Sequence, residues 1–108
     1  MKHEVCLTHS AESDLAEIYD YIAHADSQKK ADYVLENLVV LTESLAKIPE
    51  RGTYPKELQE IGIYEYRQAF FKPYRLIYRI INQKVFIYLI VDGRRDIESV
   101  LTRRLLQK

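Results

Sequence analysis

The 108-residue chain has one cysteine, no tryptophan, three glycines and three prolines. A lone thiol, Cys6, closes no internal disulfide, so burial has to hold the fold, and a reducing compartment, the cytoplasm, suits it. Gly52, Gly62 and Gly93 are isolated from one another, which excludes a phosphate-cradling loop and a dinucleotide fingerprint. Net charge is lacking as well, because 16 Lys+Arg balance 16 Asp+Glu. With 47 % hydrophobic residues and no net charge to oppose collapse, the composition excludes disorder and fits one domain over residues 1–108. Long apolar runs are missing. The longest, Val85–Val91, has seven residues, whereas a membrane-spanning helix needs about 20. The start, Met1-Lys2-His3-Glu4, has no apolar leader, so no membrane partner is expected. All three histidines precede residue 25. A strand would put Cys6 on the face opposite His3 and His9, which matches no zinc spacing, so neither metal nor cofactor is expected. No serine sits in a nucleophile-elbow context.

The balance of charge conceals a division. Residues 1–50 carry four Lys and no Arg against ten acids, a net of −6. Residues 51–108 carry 12 Lys+Arg against six acids, a net of +6, and hold all eight arginines. Such a chain can offer a basic surface to an anionic partner while remaining neutral overall. Arginine forks suit carboxylate and phosphate. The ordinary alternative is that acidic helices pair with basic strands inside the fold.

Val5 and Leu7 alternate with Glu4, Cys6 and Thr8, which predicts a strand over residues 3–8. Ser10 is placed to cap a helix over residues 10–25, with Glu12 and Asp14 at the positive end of its dipole. Leu15, Ile18, Tyr19 and Ile22 follow at helical spacing. Asp26 or Ser27 caps a second helix whose inner stripe is Ala31, Val34, Leu35, Leu38, Leu41, Leu45 and Ile48, and which Pro49 stops. So short a connection makes the two an antiparallel hairpin. Tyr33, Val39 and Val40 fall partly outside the stripe. They give the hairpin a second apolar side, a groove for a partner helix unless the chain itself covers it.

Residues 50–61 read as a surface connection with room for one helical turn. From Gly62 the period changes to two. Tyr64, Tyr66, Gln68 and Phe70 alternate with Glu65, Arg67, Ala69 and Phe71, and Lys72-Pro73 then makes a turn. Tyr74, Leu76, Tyr78 and Ile80 alternate with Arg75, Ile77, Arg79 and Ile81, and Asn82-Gln83 turns again. Val85–Val91 reads as a central strand buried on both faces. Asp96 caps a last helix with Ile97, Val100, Leu101 and Leu105 inward and Arg103 and Arg104 outward. The fold class is α+β: an N-terminal strand, a two-helix hairpin, a three-stranded antiparallel meander and a C-terminal helix.

Chemistry concentrates in the arginines. Arg67, Arg75, Arg79, Arg94 and Arg95 interleave with Tyr64, Tyr66, Tyr74, Tyr78 and Tyr88, and on adjacent strands they could gather on one sheet face. Such a face would suit RNA backbone contact and base stacking. Cleavage would also require groups to take the 2′-hydroxyl proton and to protonate the leaving oxygen. This half of the chain has no histidine, which leaves Glu65, tyrosines and a few lysines. The ordinary alternative is arginine–carboxylate pairing with amphipathic tyrosine packing.

The element order resembles the RelE/ParE superfamily of toxins from type II toxin–antitoxin modules along essentially the whole chain. Tyr74-Arg75-Leu76-Ile77-Tyr78-Arg79-Ile80, Val85–Val91, Gly93-Arg94-Arg95-Asp96 and Leu101-Thr102-Arg103-Arg104-Leu105 carry the resemblance. So does an opening helix with Asp14-Leu15, Ile18-Tyr19 and Tyr21-Ile22. The resemblance implies a helical hairpin on a small antiparallel sheet, a cytoplasmic location and a hetero-oligomer with a short antitoxin, ParD-like or similar. RelE-like members are ribosome-dependent mRNA endonucleases that use basic sheet residues and a late Tyr or His. ParE-like members poison DNA gyrase and lack that set. Here nothing of the kind follows Tyr88, the hairpin is long, and Gly93-Arg94-Arg95-Asp96 is the ParE-like ending, although Asp92 stands where that ending often has His. The resemblance therefore implies a gyrase inhibitor rather than an enzyme, causing growth arrest. It puts Arg94, Arg95, Arg103 and Arg104 toward the target, and Tyr33, Val39 and Val40 toward the antitoxin. The alternatives are an mRNA endonuclease built on Arg67, Arg75 and Arg79, or a small non-toxic interaction domain.

Overall fold

The computed structural model describes residues 2–106, so residues 1, 107 and 108 of the expected domain lie outside it. Strand β1 (Glu4–Leu7) runs almost directly into helix α1 (His9–Ala25). Thr8, not Ser10, caps α1: its Oγ1 accepts the Ala11 amide at 3.1 Å from an extended backbone. Either hydroxyl could serve chemically. The end of the strand at Leu7 decides, because the chain turns out of the sheet at once. Ser27 caps α2 (Gln28–Lys47), accepting the Lys30 amide at 3.1 Å. The Tyr19 hydroxyl donates to Asp32 at 2.6 Å and ties the two helices together.

Ala31, Val34, Leu38, Leu41 and Leu45 are buried as the α2 stripe requires, but Ile48 is exposed. A residue before proline is pushed out of the helical region. Ile48 has accordingly left it, at φ −131° and ψ 76°, and its side chain swings away from the stripe.

After a 3₁₀ turn (Pro49–Arg51) and a one-turn α3 (Lys56–Gln59), β2 spans Arg67–Phe71. The strand expected from Gly62 is thus shorter. Residues 62–66 are drawn across the far face of the sheet, where Ile63 and Tyr66 pack against the second core. β3 (Tyr74–Ile81) and β4 (Lys84–Asp92) complete a sheet of order β1-β4-β3-β2. All pairings are antiparallel except β1 with β4. Asn82 takes φ 57° in the β3–β4 turn, a left-handed conformation that asparagine tolerates.

β4 changes phase midway. Tyr78 pairs with Ile87 and Ile77 with Leu89, which leaves Tyr88 as an unpaired bulge residue. Val85, Ile87 and Ile90 therefore face the hairpin core with Leu76 and Tyr78. Leu89 and Val91 face the opposite core with Ile77, Leu58 and α4 (Ile97–Leu101). One strand feeds two cores, and each fully buried Leu or Ile contributes about 1.5–3 kcal/mol. Tyr78 is fully buried, and burial raises its phenol above the ordinary value. Its hydroxyl donates to the Pro49 carbonyl at 2.6 Å and accepts the Gly52 amide at 3.0 Å. Only glycine fits there, since an added Cβ would stand 2.5 Å from the Gln68 carbonyl oxygen. Among the described residues no helix is long and apolar enough to cross a membrane.

Candidate functional site

The sheet divides its arginines between two faces. Arg67 pairs with Tyr78 in the β2–β3 ladder and so lies on the hairpin side. It donates to the Gly52 carbonyl at 3.0 Å, with its guanidinium 4.7 Å from the Tyr54 ring centroid. Arg75 and Arg79 share the other face with Ile77, because side chains on one face recur every second residue. Buried Arg75 grips Glu57 of α3 with two bonds, at 3.1 and 3.0 Å, and also donates to Gln68. Hydrogen bonding from Arg75 holds the Glu57 carboxyl below its ordinary value. Arg79 stands 5.9 Å from the Tyr66 ring centroid, and Tyr66 meets Tyr88 edge-on. The trio expected for RNA cleavage is therefore not brought together, and one of its members is spent on an internal ion pair.

The β4–α4 turn collects a different group. Arg94 bonds Asp92 through Nε at 2.9 Å and Nη2 at 2.6 Å, yet its side chain is mostly exposed. Hydrogen bonding from Arg94 lowers the Asp92 carboxyl below its ordinary value. Arg95 and Arg103 are exposed. Asp96 caps α4, accepting the Ser99 amide at 3.2 Å, and the chain then passes into a π turn, Thr102–Leu106. Arg94, Arg95 and Arg103 line one cleft of about 680 Å³ with Tyr21 and Tyr74, and Asp14, Glu17 and Asp92 line it too, so arginine outnumbers carboxylate there by one once Arg104 is included. Arg104 departs from the expected outward surface. It makes two 2.9 Å bonds to Asp14, a residue 90 positions earlier, and a third of 3.0 Å to the Tyr88 carbonyl. Helical spacing puts it beside Arg103. Nothing local reveals the acid that draws it inward.

Tyr33, Val39 and Val40 are 54 %, 41 % and 62 % exposed, so the chain does not cover them. At about 100° per residue, Tyr33 and Val40 share a helix face, and Val39 lies roughly 100° around from Val40. Tyr33 stands edge-on to Phe71 with centroids 6.1 Å apart. Beside them runs a groove of about 570 Å³, lined also by Tyr21, Lys30, Lys72 and Pro73. The sequence reading missed Tyr21 as surface. Its position off the Leu15–Ile18–Ile22 stripe was the available signal. Tyr21, Tyr74 and Arg94 line both the groove and the cationic cleft, so the two surfaces are continuous. Among the described residues no three His, Cys, Asp or Glu side chains come together as a metal site would need.

This sheet, with a hairpin on one face and a short helix on the other, is a fold shared with solved structures. One solved structure sharing it is a chain of the chromosomal ParDE system from P. aeruginosa, with TM-score 0.69 and 18 % identity over 84 % of this chain and 96 % of that one. Another belongs to the RelBE2 toxin–antitoxin complex from Mycobacterium tuberculosis, with TM-score 0.63 and 21 % identity over 85 % and 99 %. No curated protein matches the sequence. The family model for the ParE toxin of the type II toxin–antitoxin system, parDE, matches residues 5–97. The chain belongs to that family of toxins.

Proposed function

We propose that this toxin acts by binding DNA gyrase in the cytoplasm through Arg94, Arg95 and Arg103, with Arg104 fixing the turn that carries them. One observation carries the reading: three exposed guanidinium groups line a single cleft, while the arginines a nuclease would need are split between two sheet faces. Exposed arginine recognises phosphate and carboxylate by forked hydrogen bonds without any proton transfer. Binding of this kind would trap gyrase on DNA and arrest growth.

The antitoxin's place is the groove of Tyr33, Tyr21 and Phe71, with Lys30 and Lys72 beside it, extended along α2 by the exposed Val40 on the Tyr33 face and by Val39 next to it. An amphipathic, acidic segment that is disordered alone would fold there, its ordering cost offset by apolar burial. Both structural neighbours come from toxin–antitoxin systems, which supports such a partner.

Purified toxin added in excess to gyrase and relaxed plasmid should abolish supercoiling. The triple variant Arg94→Ala, Arg95→Ala, Arg103→Ala should leave supercoiling intact. Full supercoiling at high wild-type excess overturns the reading. Cleavage of mRNA on purified ribosomes would establish the endonuclease instead.

A further inference from the structure

Among the described residues, the second half of β4 has a strand on one side only. β1 pairs with it in parallel from Lys84 to Ile87, and the Thr8 amide ends that ladder on the Ile87 carbonyl at 3.0 Å. Beyond the bulge at Tyr88 the outer edge has no strand beside it among the described residues. Backbone groups on such an edge need partners when water is kept away. Two side chains from distant parts of the chain supply them. Asp14 Oδ2, from α1, accepts the Ile90 amide at 3.0 Å. Arg104 Nη1, from the π turn, donates to the Tyr88 carbonyl at 3.0 Å. The carboxylate and guanidinium are joined by two bonds of 2.9 Å, and their side chains are only 12 % and 28 % exposed. An acceptor faces the amide and a donor faces the carbonyl, as they would on a neighbouring strand.

We propose that Asp14 and Arg104 are positioning residues that together take the place of a missing strand, closing the β4 edge and holding the C-terminal turn so that Arg103 faces outward. The positioning role rests on the proposed gyrase contact; the edge closure does not. Among the described residues, every side-chain hydrogen bond joining residues 96–106 to another element comes from Arg104.

Hydrogen exchange on the full chain, read at Ile90 and across residues 97–106, is the test. Asp14→Ala and Arg104→Ala should each speed exchange at Ile90 about tenfold or more. Both should also weaken gyrase inhibition while the helical circular dichroism is retained. Arg104→Lys keeps the charge but cannot fork to both partners, so it should fall between, and it serves if the alanine variants fail to fold. The reversed pair, Asp14→Arg with Arg104→Asp, restores the attraction but sets donor against the Ile90 amide and acceptor against the Tyr88 carbonyl. It should not rescue protection. Rescue by the reversed pair, or unchanged exchange in Arg104→Ala or Arg104→Lys, overturns the edge closure. Faster exchange with undiminished gyrase inhibition overturns the positioning role. If wild-type toxin fails to inhibit gyrase, the gyrase reading and the positioning role fail together, and exchange still decides the edge closure.

Discussion

The helical hairpin and the cationic end of this toxin are held in place by different means. The hairpin has helices of 17 and 20 residues, each with a side-chain N-cap, and α2 alone buries five apolar residues. The cationic end has a five-residue helix and one π turn, anchored by a few apolar side chains and the Asp14–Arg104 pair. Long amphipathic elements dock by area, and their exposed faces stay free for a partner. The short segment is seated by Ile97, Val100 and Leu101, and a forked ion pair to a distant element adds a directional hold that area alone does not give.

The arginines show the same contrast. Arg75 and Arg104 reach carboxylates 18 and 90 residues away, whereas Arg94 pairs two residues away and stays exposed. The charge asymmetry of the sequence is only partly consumed inside the fold. Of the four ion pairs among the described residues, Glu4–Lys84 and Asp14–Arg104 join the acidic half to the basic half.

The contrast breaks most plainly in the hairpin core. Leu38→Ala should cost about 3 kcal/mol in urea unfolding, as large-to-small changes at fully buried sites do. A cost below about 1 kcal/mol would mean that the hairpin is not held by area. Next comes Arg75→Met, which leaves the half-buried Glu57 carboxylate without its fork. A loss of about 2 kcal/mol at neutral pH is expected, less than for a fully buried pair because Glu57 keeps some solvent.

The same pair gives an acid signature. Glu57 binds its proton less readily folded than unfolded, so the unfolded state takes up protons first as pH drops. The stability the pair supplies is fully present above about 4.3, the ordinary glutamate value. It is lost as pH falls from there through the lower folded value. Glu57→Gln should remove that part of the acid loss in melting curves followed from pH 6 to pH 2, about the range over which carboxylates titrate. Ser27→Ala should cost about 1 kcal/mol by removing the α2 cap. Smallest of all, Arg94→Ala should change stability by under about 0.5 kcal/mol, since exposed pairs contribute little. A larger change would place Arg94 with Arg75 and Arg104 as a structural arginine.

Much of the scaffold was legible. The Ser27 cap, the Ala31–Leu45 stripe and the alternation of Tyr74–Ile81 are local patterns, and local physics fixes them. Errors fell where neighbours intervene. Residues 62–66 alternate like a strand but leave the β3 ladder at Arg67, drawn onto the second core by Ile63 and Tyr66, and Thr8 outcompetes Ser10 only because β1 ends at Leu7. The exposed Tyr33 and Val40 were foreseen from their places on α2, whereas Tyr21 joins them only through the way α1 lies beside the β2–β3 turn.

By itself the sequence determined the order of elements, the amphipathic hairpin and the basic second half, because periodicity and composition act within a few residues. Tertiary structure alone decided which guanidinium groups remain available. Pairing with Asp14 or Glu57 depends on distance in space rather than along the chain, and the bulge at Tyr88, which sends one strand into two cores, exists only once β3 and β4 are in register.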